Sequence, residues 1–300
     1  LSKLFIPLIF SFIIFSQKIF AAPCCGAGFA VPSIITSEDK AQFAASINEA
    51  RIHADVFPNG DWQERKSNDI SRTIKLEGAH IFADRFQFGV SVPYISRKRD
   101  GRAGGSDQGL GDLSGQLGFE LMPDWDYHPY RPKGILYLSL IAPTGRSLYE
   151  STNGLDTRGR GFWGIGSGLV LTKAWGSWDA NGLIEWHYFF PKNVQNENYD
   201  GKVNPGYGGS IVIGGGYNWE KIRIGTQINW QYEAPTNVKG PISSNGSLKR
   251  LATGTLLMSY LLPENRSIIM SYADQTILGS PTNSSLSKSI TLFFQKRWAR

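Results

Sequence analysis

Hydrophobic and polar residues alternate with period two along most of the chain. In 222–233, "IRIGTQINWQYE", the even positions Ile222, Ile224, Thr226, Ile228, Trp230 and Tyr232 are mostly apolar. The odd positions Arg223, Gly225, Gln227, Asn229, Gln231 and Glu233 are polar or glycine. Such a segment fits a β-strand lying between two unlike media. Comparable segments recur near 41–57, 69–83, 86–96, 113–122, 134–143, 161–173, 178–190, 207–217, 249–262, 266–276 and 285–298, which brings the number of predicted strands to twelve.

The connections discriminate between a soluble sandwich and a barrel. Long polar loops near 58–68, 97–112, 144–160, 191–206, 234–248 and 277–284 alternate with tight ones near 84–85, 174–177, 218–221 and 263–265; only 123–133 departs from the rule. A sandwich has no reason to gather its long loops at one end, whereas outer-membrane barrels pair short periplasmic turns with long external loops. The expected fold is therefore all-β: a single antiparallel transmembrane β-barrel over 41–300.

Aromatic residues fall near the strand ends. Tyr94, Trp163, Trp186, Tyr188, Tyr207, Trp230, Tyr232 and Tyr272 form the expected outer girdle, and Trp175, Trp178, Tyr260 and Trp298 the periplasmic one. Trp and Tyr favour both bilayer interfaces because each ring joins an apolar body to a polar handle. Ile184, Ile224 and Ile228 then face lipid, while Asn181, Glu185, His187, Arg223, Gln227, Asn229 and Gln231 face the lumen. The apolar face between Ile70 and Phe82 also carries Arg72, which can snorkel, and His80, which a bulge at Gly78 would return to the lumen.

The sharpest polar cluster lies on the first strand, where Glu49, Arg51, His53 and Asp55 share one face. With Lys75 and Glu77 from the next strand, they are expected to line the lumen, as a charged wall selecting a permeant or as an internal salt-bridge network.

Composition adds bounds. The hydrophobic share of 41% and mean hydropathy of −0.23 exclude a helical membrane protein, and 34 glycines beside 13% aromatics suit a β protein with many tight turns. The opening "LSKLFIPLIFSFIIFSQKIFAAP" has Lys3, an apolar core from Leu4 to Phe15 and small residues at Ala21 and Ala22, so 1–22 is expected to be a cleaved signal peptide. Residues 23–40 are expected to form a periplasmic leader or a plug in the lumen. Cys24 and Cys25 are adjacent and cannot staple a fold. The formal charge of +6 includes no basic cluster interleaved with aromatics, so no nucleic-acid partner is expected. No metal site or cofactor is called for. None of His53, His80, His128 and His187 stands in a His-x-Ser pair of the outer-membrane phospholipase type, which leaves no catalytic residue to nominate.

The runs "GLGDLSGQLGFEL" (109–121), "LYLSLIAPTGR" (136–146) and "GIGSGLVLTKAWGSWDANGLIEWHYFFP" (164–191) resemble the outer-membrane channel family named for the meta-pathway of phenol degradation. The resemblance implies a β-barrel moving small or hydrophobic molecules and offers no catalytic residue to carry over. The expectation is a passive channel for a small, hydrophobic or aromatic solute in the outer membrane of a Gram-negative-type bacterium. Outer-membrane lipid and the barrel-assembly machinery are its expected partners. The alternatives are a plugged, non-conducting barrel whose surface loops bind a ligand and, more remotely, an outer-membrane lipase.

Overall fold

Alternating strands joined by tight turns pair most cheaply with their sequence neighbours, and this chain does so all the way round. The computed structural model describes residues 33–101, 104–151, 154–195, 200–241 and 244–300; the expected signal peptide 1–22, residues 23–32 with Cys24 and Cys25, and four short gaps lie outside them. The strands are β1 (Asp39–Val56), β2 (Trp62–Phe82), β3 (Phe86–Arg99), β4 (Gly105–Leu110), β5 (Leu113–Met122), β6 (Lys133–Ala142), β7 (Gly164–Trp175), β8 (Trp178–Phe189), β9 (Lys192–Gln195), β10 (Asp200–Asn204), β11 (Gly206–Trp219), β12 (Ile222–Glu233), β13 (Asn237–Lys239), β14 (Ser244–Asn245), β15 (Lys249–Leu262), β16 (Arg266–Asp274) and β17 (Ser284–Ala299). β4 and β5 follow one another along the same edge of β3, so the main sheet has twelve positions. β1 pairs with both β2 and β17, which closes it into an antiparallel barrel.

The outer surface is a continuous apolar belt. One hydrogen-bonded row passes through Tyr94, Ile74, Ile47, Leu292, Met270, Met258, Ile224, Tyr217, Trp178 and Trp175, one residue per strand. Every one of these side chains is exposed. Because the strands are staggered, the row slants around the wall from Tyr94 within β3 to Trp175 at the tight-turn end of β7. Tight turns at the short-turn end, periplasmic in barrels of this kind, place Ala83, Asp84, Glu220, Glu264 and Asn265 in the left-handed region, as such reversals require.

The external connections are more ordered than their polar composition predicts. The expected loop 58–68 is largely strand, since Val56 pairs with Trp62 and β2 runs on from there. β4 likewise occupies much of the expected loop 97–112. Within 191–206 and 234–248, β9, β10, β13 and β14 form a second, four-stranded sheet. Val194, Val203 and Val238 from that sheet pack with Phe162 and Phe189, roofing one side of the barrel.

The belt predicts opposite outcomes for neighbouring residues on β17. Leu292 is exposed on the belt, whereas Thr291 lines the interior. Leu292→Arg should destabilise the barrel by about 2–4 kcal/mol in unfolding from lipid vesicles, and Thr291→Arg by less than about 1 kcal/mol. Equal losses would contradict this assignment of faces.

Candidate functional site in the barrel lumen

Residues 33–38, just ahead of β1, lie in the interior at one end. Ser33 Oγ donates to Glu77 Oε1 (2.8 Å). Ile35 N donates to Gln87 Oε1 (2.6 Å), and Gln87 Nε2 donates back to the Ile35 carbonyl (3.2 Å). Gln42 Nε2 donates to the Ile34 carbonyl (3.3 Å), and Lys133 Nζ to Ser37 O (3.0 Å) and Glu38 Oε1 (2.7 Å). Ile34 packs on Ile135, Tyr137, Val170, Leu183 and Val212, and Ile35 on Ala79 and Ile81. Gly89 makes room for this passage: a Cβ there would lie 1.9 Å from the Ser33 carbonyl oxygen. Only a residue without a side chain lets the two backbones approach so closely.

Two cavities lie beside residues 33–37 among the described residues. One, of about 300 Å³, is bounded by β1, β2, β12 and β15–β17. Apart from Lys75 and Glu77, ion-paired at 2.9 Å, its polar lining is hydroxyl and amide, including Ser46, Asn48, Gln227, Asn229, Gln231, Thr255 and Gln295. Asn229 Oδ1 is buried there without a partner among the described residues. The other cavity, of about 330 Å³, is lined in part by Glu77, Asp112, Tyr137, Arg160, Glu185, His187 and Glu233. His187 stands between two carboxylates, with Nδ1 2.8 Å from Glu185 Oε1 and Nε2 3.1 Å from Glu233 Oε2. Arg160 grips Glu233 with both terminal nitrogens and lies over the Phe189 ring.

Of the residues expected in the lumen, Lys75, Glu77, Glu185, His187, Gln227, Asn229 and Gln231 line these cavities. Asn181 shares the inner face of β8 with Glu185, under Gly214. Arg223 is fully buried near the periplasmic end, held by Asp179 through Nε (2.7 Å) and Nη2 (2.6 Å).

The first strand is placed differently. Gln42, Ala44, Ser46, Asn48 and Ala50 line the cavity, so the odd positions Glu49 and Arg51 point outward with Phe43 and Ile47. Glu49 pairs outside the wall with Arg51 (3.1 Å) and with Arg72 of β2 (2.9 Å). His53 is the extra residue of a bulge and is exposed, and Asp55 binds Arg65 at the extracellular rim. The reason is length: β1 has 18 residues where about 9–11 span a bilayer, so its upper half clears the hydrocarbon and can carry charge outside. His80 is exposed on the outer face as well, because β2 keeps its register through Gly78 without a bulge. In the girdles, Tyr94, Trp163, Trp178, Trp186, Trp230, Tyr232, Tyr260, Tyr272 and Trp298 are exposed, while Tyr188 is half-buried with its ring edge-on to Phe190.

The sequence motifs meet at Asp112, a residue outside the expected lumen set. Its carboxylate accepts from the backbone N–H groups of Gly145 (3.0 Å), Arg160 (2.6 Å) and Gly161 (3.1 Å). Thr144 Oγ1 donates to Gly111 O (2.6 Å) and accepts from Leu113 N (3.0 Å). The Gly-Asp-Leu and Pro-Thr-Gly stretches thus fasten both ends of the 143–163 loop to the wall and aim Arg160 inward. Farther out, burial pushes the Asp156 carboxyl up, but hydrogen bonds from Ser151 and Arg146 outweigh it and hold the group below its ordinary range. Those contacts persist as pH falls through the usual carboxylate values and are lost only below them.

No protein-family model matches the chain. Among solved structures, an outer-membrane channel from Pseudomonas putida F1 is similar over 87% of this chain and 96% of that one, with 12% identity and a TM-score of 0.71. The β domain of the Bordetella autotransporter Brka matches over 87% and 100% respectively, with 12% identity and a TM-score of 0.50. Likeness at this level speaks to fold, and the fold is that of an outer-membrane β-barrel.

Asp112→Ala removes the acceptor of three N–H groups, each about 1.5–3 kcal/mol when the acceptor is charged. Trypsin should then cut the folded protein at Arg146 or Arg158 at least about tenfold faster than wild type, with the barrel itself intact. Unchanged cleavage would contradict the clamp.

Proposed function

We propose that the chain is a channel of the outer membrane of a Gram-negative-type bacterium, reached after removal of 1–22, which passes a small polar solute beside its own leader. The observation that carries this reading is the neutral hydroxyl and amide lining next to residues 33–38. Such groups replace a solute's hydration shell without trapping it by charge, and a weakly bound solute can leave as readily as it enters. A hydrophobic or aromatic solute fits this cavity poorly, since among the described residues Phe293 is the one aromatic on its wall. The clamp at Asp112 gives the motifs of the phenol meta-pathway channel family a physical role and supports membership in that family. Outer-membrane lipid around the belt and the barrel-assembly machinery are the partners this reading requires.

A second reading, a closed barrel with a ligand-binding outer surface, draws on the four-stranded roof and the leader, which narrow the lumen from both ends. Conductance separates the two. In planar bilayers the wild type should pass small currents, and deletion of 33–38 should enlarge them. Gly89→Val should do the same, because its side chain would collide with the Ser33 carbonyl. Arg51→Ala should leave ion preference unchanged, as Arg51 lies outside the wall. Silence of all variants would favour the closed barrel.

A further inference from the structure

The inner face of β3 runs from the charged cavity to the extracellular mouth. Ser91 and Pro93 line the lower cavity, and Arg99 lines a mouth cavity of about 930 Å³ together with Asp55, Arg65 and Asp69. Arg97 stands between them on the same face, two residues below Arg99, because β3 keeps an unbroken register with β2.

The charges around it do not balance. Asp69 lies opposite Arg99 and receives its Nε (2.9 Å), while Arg65 reaches both Asp69 and Asp55. Arg97 has Ser71 opposite it on β2 and Asp107 on β4. The Asp107 carboxylate is taken by Arg158, whose own Nε is buried without a partner among the described residues. Four guanidinium groups thus share three carboxylates, and the Nε of half-buried Arg97 has no partner among the described residues. Among the described residues, the other charged groups lining the mouth cavity are Glu64, Lys66 and Asp100, the last 3.3 Å from Lys98 on the outer face.

An arginine cannot relieve such a position by losing its proton. A guanidinium partly withdrawn from water with an open Nε gains from an anionic partner, and its planar fork is best matched by a carboxylate that accepts two parallel N–H bonds. We infer that Arg97, flanked by Arg99 and Arg158, is a binding site for a small carboxylate-bearing anion entering from the extracellular mouth. The site completes the local charge balance and lies on the way from the mouth to the lower cavity. It goes beyond the channel reading, because it requires an accessible mouth but no conduction.

Saturation-transfer NMR on purified, detergent-solubilised protein tests it, with 13C-labelled acetate as the anion and acetamide as its neutral isostere. Wild type should show saturable transfer to acetate and none to acetamide. Arg97→Gln should weaken apparent acetate affinity by about tenfold or more, the loss expected for a charge-assisted hydrogen bond. Arg97→Lys, which keeps the charge and loses the fork, should fall between them and serves if the glutamine variant does not fold. Arg51→Gln, on the outer wall, should bind acetate as wild type does. Equal acetate binding in wild type and both Arg97 variants, or no preference for acetate over acetamide in wild type, would overturn the assignment. The readout needs no ion flow, so a barrel that fails to conduct still passes or fails this test.

Discussion

Everything in this molecule depends on the seam between β1 and β17. Hydrocarbon offers no partner for a backbone N–H or C=O, so a sheet within it must have no free edge. The chain meets this demand by pairing Asp39–Val56 with Ser284–Ala299 along nearly the full length of both strands. Closure fixes what each residue faces, because alternate side chains must go to lipid or to the interior. It also brings the start of β1, and with it the leader, to the periplasmic opening.

A closed interior has to satisfy its own polar groups, and here that requirement shapes the passage. At the periplasmic end, Arg223 is locked to Asp179, while Lys133 bridges Glu120 and Glu38. Buried charges are tolerable only when paired in this way. The leader then fills a part of the lumen whose inward residues, Ile135, Val170, Leu183 and Val212, are apolar, so that Ile34 is buried among its own kind. Burial of Ile34 and of Ile35 contributes about 1.5–3 kcal/mol each, and Gln42 and Gln87 satisfy the backbone between them. What remains open is the hydroxyl and amide surface of one side and the charged His187 cluster of the other.

Strand number and the alternation of long and short connections were legible because each repeats around the barrel. The phase of β1 was not. A row of charges calls for water, which the lumen would supply, but Phe43 and Ile47, lower on the same face, set the phase, and the outer solvent above the bilayer serves charge equally well. The roof escaped notice because Val194, Val203 and Val238 are isolated apolar residues within polar loops and show no periodicity. The grip on the leader is invisible for a related reason: Gln42, Gln87 and Gly89 acquire meaning only when a second segment passes them. Asp112 was within reach, since an acid between Gly111 and Leu113 in a recurring motif invites the question of which N–H groups it serves.

The central claim is that residues 33–38 lie inside the barrel beside β3 in the membrane-embedded protein. A cysteine pair at Ile35 and Gln87, in a chain with Cys24→Ser and Cys25→Ser, tests it most directly. Ile35→Cys with Gln87→Cys should form a disulfide in isolated outer membranes under mild oxidation, whereas Ile35→Cys with Phe88→Cys, facing lipid, should not. Failure of the first pair, or equal yield from both, would place the leader outside the lumen and contradict the account.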